Sequence, residues 1–263
     1  MKTVNIGDLK VSRMILGGNP FSGFSHQSPE RDREMVRYFT TARIKETMHQ
    51  AEALGVNTFL GRADRHIRRT LTEYWHEGGE IQWLAQTCPE YASLPGCVSG
   101  AIAAGAAAVY IHGGHMDYFY AQNELDIVHD VIGQIKEAGV AAGVAGHNPE
   151  VHRWANEHLD LDFHMCSYYN PSSRDENAEH QAGVKEVFSD KDRDAMVEVI
   201  KELHAPAIHY KILAAGRKTP EEAFDFVAEH LRPQDAVCVG VFPKDKPGML
   251  AEDVRLLELS LSR

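Results

Sequence analysis

The sequence predicts an α/β protein folded as a closed parallel (β/α)8 barrel of the TIM type, a single domain over residues 1–263. Three observations predict it. Short β-branched or apolar runs alternate with longer helical patterns at a spacing of about 30 residues. There are eight of each. No GxGxxG or Walker-type loop follows any strand, which argues against an open doubly wound sheet.

In chain order the strands are Arg13–Leu16, Val56–Leu60, Ile81–Gln86, Ala108–His112, Ala141–Ala145, Leu161–Ser167, Ala207–Leu213 and Ala236–Val241. The helical patterns are Thr41–Leu54, Asp64–Trp75, Glu90–Ala104, Asn123–Ala138, Glu150–His158, Lys191–Leu203, Glu221–Leu231 and Leu250–Leu261. Thr219-Pro220-Glu221-Glu222 supplies a cap, an early proline and acidic first-turn residues, and Ala138-Gly139 supplies a stop. Two long irregular stretches, Gly17–Phe39 and Tyr169–Asp190, each follow a strand and so belong to the catalytic face of such a barrel.

Composition narrows the function. Hydrophobic residues make up 43% and charged residues 25% of the chain, which suits a globular fold. A net charge of −11 disfavours polyanionic nucleic acid or an anionic membrane as partner and leaves small molecules as the expected ligands. Met1–Gly7 carries no signal-peptide pattern, and no run approaches the roughly 18 apolar residues of a membrane span. Cys88, Cys97, Cys166 and Cys238 lie far apart without a CxxC pair, as suits a reducing compartment. The expectation is a soluble cytoplasmic protein, with a homo-oligomer left open.

Alternation along a barrel strand sends one parity to the interior and mouth and the other to the outer helices. On the fourth strand Val109 and Ile111 are the helix-facing set, which turns Tyr110 and His112 inward. Gly143, Ala145 and His147 share the inward parity on the fifth, and the small residues are expected to leave space at the centre. Taking Leu161, Phe163 and Met165 as helix-facing turns His164, Cys166 and Tyr168 inward on the sixth. Taking Ile208, Tyr210 and Ile212 as helix-facing turns His209 and Lys211 inward on the seventh.

Convergence of His112, His147, His164 and His209 would create a polar cup. His112, His164 and His209 could there ligate a divalent metal, zinc or similar, or serve as acid–base groups; each could equally be a hydrogen-bonded core histidine. No HxH or HExxH spacing singles out the metal reading. A lysine inside a barrel loses hydration and its pKa falls, so Lys211 could act as a base or Schiff-base nucleophile, or pair with a carboxylate or substrate phosphate. Cys166 could be a ligand, a nucleophile or inert packing.

Arg62, Asp64, Arg65, His66, Arg68 and Arg69 could together hold an anionic substrate; alternatively Arg68 and Arg69 form an exposed basic helix face while Arg62 and Asp64 approach the mouth. Lys244 and Lys246 could grip a phosphate in the eighth loop or simply be solvated. Gly113-Gly114 marks a sharp turn before His115 and Asp117, which could add a base or ligand or lie in an exposed loop.

In their common order, several segments resemble the aldo-keto reductase superfamily over nearly the whole chain. Met14-Ile15-Leu16-Gly17-Gly18 is similar to its first strand, and Ala53-Leu54-Gly55-Val56-Asn57-Thr58-Phe59 to the entry of its second. Val109-Tyr110-Ile111-His112-Gly113 is similar to the segment ending in its active-site histidine, and Gly143-Val144-Ala145-Gly146-His147-Asn148 to its fifth strand. Tyr169-Asn170-Pro171 is similar to its sixth-strand tail. Lys211 through Arg217 and Val239-Gly240-Val241-Phe242-Pro243 fall at its cofactor loops.

The family's redox chemistry needs an Asp, Tyr, Lys and His set, and the resemblance matches only His112. Leu60 replaces the Asp, a residue near Arg65 the Tyr, and Gln86 the Lys. Cys166 falls where an amide contacts the nicotinamide, and Lys211 near the aromatic that stacks on it. The chain is also shorter than typical reductases and ends directly after the last helix. The resemblance thus implies a reused scaffold and disfavours NADP.

The expected function is a non-redox lyase, isomerase or hydrolase acting on a small polar carbonyl or sugar-like substrate. His112, Lys211 and His147 are its candidate catalytic residues, and Arg62, Tyr168, Gln86 and Lys244 its candidate substrate contacts. The alternatives are an NADP-dependent reductase with a rearranged proton donor and a catalytically silent binding barrel.

Overall fold

The structure, a computed structural model, describes residues 1–179 and 184–263; residues 180–183 of the second irregular stretch lie outside the described residues. It opens with an antiparallel hairpin of β1 (Thr3–Ile6) and β2 (Leu9–Ser12), closed by a two-residue turn in which Gly7 takes φ +54°. Val4, Ile6 and Val11 of this hairpin join the apolar filling of the barrel.

The barrel strands are β3 (Met14–Gly17), β4 (Thr58–Arg62), β5 (Gln82–Gln86), β6 (Ala108–Ile111), β7 (Ala141–Gly146), β8 (Phe163–Ser167), β9 (Ala207–Tyr210) and β10 (Ala236–Val239). All pair in parallel in sequence order, and β10 closes on β3 through Val237 opposite Met14. The predicted (β/α)8 barrel is therefore the observed one, with strand positions shifted by at most a few residues.

The outer helices are α2 (Thr41–Ala53), α3 (Arg65–His76), α4 (Leu94–Ala103), α6 (Asp126–Glu137), α7 (Pro149–His158), α8 (Asp190–Glu202), α9 (Pro220–His230) and α10 (Met249–Ser260). Thr219 caps α9 as its sequence implies, accepting a hydrogen bond from the Glu222 amide. α4 starts later than expected because Ser93 caps it and Pro95 occupies its first turn.

Two further helices sit on the loops at the strand C-termini. α1 (Pro29–Tyr38) lies within the first irregular stretch, capped by Ser28. α5 (Gly113–Gln122) begins directly after β6, with His112 as its cap, and Asn123 ends it at φ +56°.

Inward parity follows the expectation on β6 and β7, where Tyr110 and Ala145 join the barrel filling. On β8 and β9 it is reversed. Phe163, Met165 and Ile208 fill the barrel, while Cys166, Tyr168 and Ala207 belong to the shell between strands and helices. The cause is visible at Gly143, where an added Cβ would come within 2.6 Å of the Phe163 ring. The glycine does not leave the centre open; it makes room for a phenylalanine from the neighbouring strand.

Candidate functional site

A cavity of about 300 Å3 opens at the strand C-termini, lined among others by Arg62, Gln86, His112, His147, Tyr210 and Lys211. Five residues expected at the mouth are therefore brought together: His112, His147, Lys211, Arg62 and Gln86.

His112 is held by its own helix. Its backbone amide donates to Thr87 Oγ1 at 2.9 Å, and its Nδ1 accepts the Gly114 amide at 3.0 Å. With Nδ1 an acceptor, the ring proton of the neutral imidazole is on Nε2. Burial, then the nearby His147, His115 and Arg62, hold its pKa well below the usual histidine value. The positive end of α5 acts in the same direction. His112 is a neutral hydrogen-bond donor.

His147 has the opposite tautomer. Asp117, on the next turn of α5, accepts its Nδ1 proton at 2.7 Å and its backbone amide at 3.1 Å, and also the Asn148 amide at 3.2 Å. Nε2 is left as the acceptor for the cup. Burial lowers the His147 pKa and Asp117 opposes that shift. Gly113 makes the pairing possible, since a Cβ there would meet His147 Cε1 at 3.0 Å and the Tyr210 hydroxyl at 3.3 Å.

Lys211 reaches the cup by a different route from the one expected. β9 ends at Tyr210, and Lys211 takes a left-handed backbone with φ +59°, which breaks the alternation. Tyr210 and Lys211 consequently both line the cavity. Burial pulls the lysine pKa down to about 8, against the pull of Glu186. Its Nζ lies 3.1 Å from His26 Nε2, and His26 Nδ1 donates to Glu186 Oε1 at 2.8 Å. His26 is itself left-handed, at φ +56°.

Arg62 is buried, paired with Asp64 at 3.4 Å and with Glu90, and its guanidinium lies over the Phe24 ring at 4.9 Å. Arg174 adds a second buried guanidinium, its pKa lowered by burial.

Four sequence expectations need correction. His164 faces the outer shell, 3.2 Å from His152 Nδ1 on α7. His209 also faces outward: the Tyr168 hydroxyl donates to its Nδ1 at 2.9 Å, and its Nε2 donates to Asp235 at 3.3 Å. Tyr168 packs edge-on against Phe226 of α9, in the shell between strands and helices and outside the cavity lining. Lys244 is exposed and pairs with Glu34 at 2.7 Å, beside a separate cavity. The trio His112, His164 and His209 does not converge, because reversed parity places two of them behind the barrel wall. Among the described residues no group of three His, Cys, Asp or Glu is placed to hold a metal ion.

Asp117 was weighed in the sequence only as an open alternative, and Tyr210 was assigned to the wrong face. His26, Glu186 and Arg174 were missed. They sit on the two long loops, whose position after strands was the one available signal.

No protein-family model matches the chain, and no curated protein matches its sequence. Solved structures do match its fold. A putative aldo-keto reductase from Pseudomonas aeruginosa superposes with a TM-score of 0.66 at 17% identity, covering 98% of this chain and 94% of that one. An aldo-keto reductase from Bacillus halodurans in its holo form gives 0.65 at 11% identity, over 98% and 91% of the two chains. A truncated 3-deoxy-D-arabino-heptulosonate 7-phosphate synthase from Thermotoga maritima gives 0.57 at 13% identity, over 98% and 90%. The chain shares the aldo-keto-reductase-like barrel at the level of fold, and among the described residues no helix is long and apolar enough to cross a membrane.

Proposed function

We propose that the protein is a non-redox enzyme that moves a proton next to the carbonyl of a small polar substrate, as an isomerase or lyase does. The observation that carries this reading is the Asp117–His147 pair facing the same cup as the neutral His112. His147 Nε2 is the base, and Asp117 stabilises the imidazolium formed when the proton arrives. His112 Nε2–H donates to the carbonyl oxygen as negative charge develops there. Arg62, Arg174 and Gln86 hold the polar end of the substrate.

The resemblance to aldo-keto reductases raises a nicotinamide dinucleotide as a candidate cofactor, but the residues present do not fit one. Lys211, near the position of the ring-stacking aromatic, is engaged with His26, and Cys166 faces the outer helices. Burial and the neighbouring Asp117 push the Tyr210 hydroxyl well above its usual pKa, the reverse of what a reductase proton donor needs. These features support non-redox over nicotinamide-dependent chemistry.

The test is proton–deuterium exchange at carbon next to the carbonyl of dihydroxyacetone, glycolaldehyde and pyruvate in D2O, followed by NMR. Exchange with at least one probe, reduced about 100-fold or more in His147→Gln, is the expected result. No enzyme-dependent exchange, or exchange indifferent to His147→Gln, would overturn the reading. Quenching of NADPH fluorescence by the protein would favour the reductase instead.

A further inference from the structure

We propose that Lys211 is a covalent catalyst, whose Nζ forms an imine with the carbonyl carbon of the substrate, with His26 and Glu186 as its positioning pair. The inference rests on the proton-transfer reading and deepens it, since it concerns the same cup.

Geometry carries it. A strand residue would have pointed Lys211 to one face or the other; instead its left-handed backbone aims the amine into the cavity directly after β9. A left-handed backbone at a bulky residue costs roughly 1–3 kcal/mol and persists only where surrounding structure imposes it. The partner across the cup, His26, is held the same way. Two such residues meet at 3.1 Å through Nζ and Nε2, and Glu186 fixes the imidazole from behind at 2.8 Å.

Among the described residues no carboxylate forms a salt bridge with Lys211 that would tie it down as a structural cation. The Glu186 carboxylate reaches it through an imidazole, which accepts a proton and returns it. That is the arrangement an amine needs when it must be neutral to attack and then lose water.

The step balances without any oxidant or further reactant. The ammonium of Lys211 gives one proton to His26 Nε2, and the nitrogen lone pair forms the C–N bond while the carbonyl π pair moves to oxygen. A second nitrogen proton passes to that oxygen, giving a neutral carbinolamine. The C–O bond then breaks, the oxygen leaving as water with the proton His26 held, and the nitrogen lone pair completes the protonated C=N bond.

The imine nitrogen is then the electron sink for the carbon acid that His147 deprotonates. The His112 Nε2–H donates to the substrate oxygen at the earlier stage, when the carbonyl π pair moves onto it. A protonated imine accepts electrons far more readily than a carbonyl, so one histidine base suffices. Hydrolysis by water reverses the sequence and frees the amine. The chemical class implied is a small aldehyde or ketone bearing hydroxyl or carboxylate groups that suit Arg62 and Arg174.

The experiment is borohydride trapping on the full chain with dihydroxyacetone or pyruvate as probe, read by peptide mass spectrometry. The expected result is a reduced adduct on the Lys211 peptide, at least tenfold above any surface lysine and absent in Lys211→Met and Lys211→Arg. In His26→Gln the trapping rate should fall about tenfold and its pH profile should move, which a merely structural role would not produce. Wild-type exchange in D2O without selective Lys211 trapping would overturn the imine and leave the proton-transfer reading standing. Absence of both trapping and exchange would overturn the two together. Undiminished exchange in a folded Lys211→Met would also overturn the imine.

Discussion

The carboxylate of Asp117 accepts the Nδ1 proton of His147 at 2.7 Å while also taking the backbone amides of His147 and Asn148. One side chain from α5 thus fixes the tautomer of a ring just beyond the end of β7 and the path of the chain that carries it. Asp117 and His147 are both nearly inaccessible to solvent, so the amide and ring N–H of His147 have no water as a substitute partner, whereas Asn148 is half-buried. Orientation and local stability are therefore coupled.

That coupling predicts two separable effects. Asp117→Asn turns an NH2 group toward N–H donors and removes the charge that stabilises the imidazolium, so exchange should fall about 100-fold or more. Asp117→Ala leaves the two buried donors of His147 without partners, and urea denaturation should show a loss of about 2 kcal/mol. A variant as active as wild type would mean that His147 is not oriented by this contact.

Gly113 offers a finer test. An added Cβ would lie 3.0 Å from His147 Cε1 and 3.3 Å from the Tyr210 hydroxyl, contacts tight enough to displace the imidazole by a few tenths of an ångström. Alanine is also worth up to about 1 kcal/mol over glycine in a helix, which offsets the crowding. Gly113→Ala should consequently melt within about 2 °C of wild type. Its exchange rate should nevertheless fall about tenfold or more, a misplaced base being far costlier than a crowded one. Equal loss of stability and activity would place the glycine in the fold and not in the site.

How much of this was legible in the sequence differs from strand to strand. On β6 and β7 one face is apolar and the other carries Tyr110, His112, Gly143 and Ala145, so periodicity assigned the faces of both. All four strands are buried on both faces, but on β8 and β9 the apolar residues fill the barrel and the histidines find polar partners outside it, so an inside-or-outside choice based on apolarity fails there. His164 and His209 look like mouth residues only until their outer partners, His152 and the Tyr168–Asp235 pair, are seen. Lys211 enters the cup through its left-handed backbone and not through strand parity, and a left-handed lysine gives no periodic signal. His26, Arg174 and Glu186 come from loops, where sequence position does not determine spatial position.

The outer histidines predict acid sensitivity. His152 is fully buried and its pKa is pushed down to about 4, chiefly by burial, and burial holds His164 well below the usual value. In the unfolded chain both titrate near 6.5, so between pH 6.5 and 4 the unfolded state binds more protons and stability falls as pH falls. For His152 the full loss is about 3 kcal/mol, a large share of a typical domain's total. Thermal melts of His152→Gln should show a visibly shallower decline across that window. A slope unchanged from wild type would mean that the acid limb comes from carboxylates alone.

Lys211 predicts the opposite end of the pH scale. Its amine titrates at about 8 in the fold, lowered mainly by burial, against about 10.4 in an unfolded chain. Between these values the unfolded state holds the proton more tightly, so stability rises with pH across the window, and below pH 8 the fold carries the full cost of the desolvated ammonium. Lys211→Met removes that cost and also gives up the contact with His26, worth about 1 kcal/mol. Because the lysine is only partly buried, a net gain of about 1–2 kcal/mol is expected at pH 7, or roughly 2–6 °C in melting temperature. The gain should shrink as pH rises through 8 and be lost by about 10.4; above that value, where neither state is charged, the variant should be the less stable by the missing His26 contact. A constant difference across that range would show that packing, and not the charge of the amine, separates the two proteins. Stabilisation together with loss of trapping would mark Lys211 as a residue kept for chemistry at the expense of the fold.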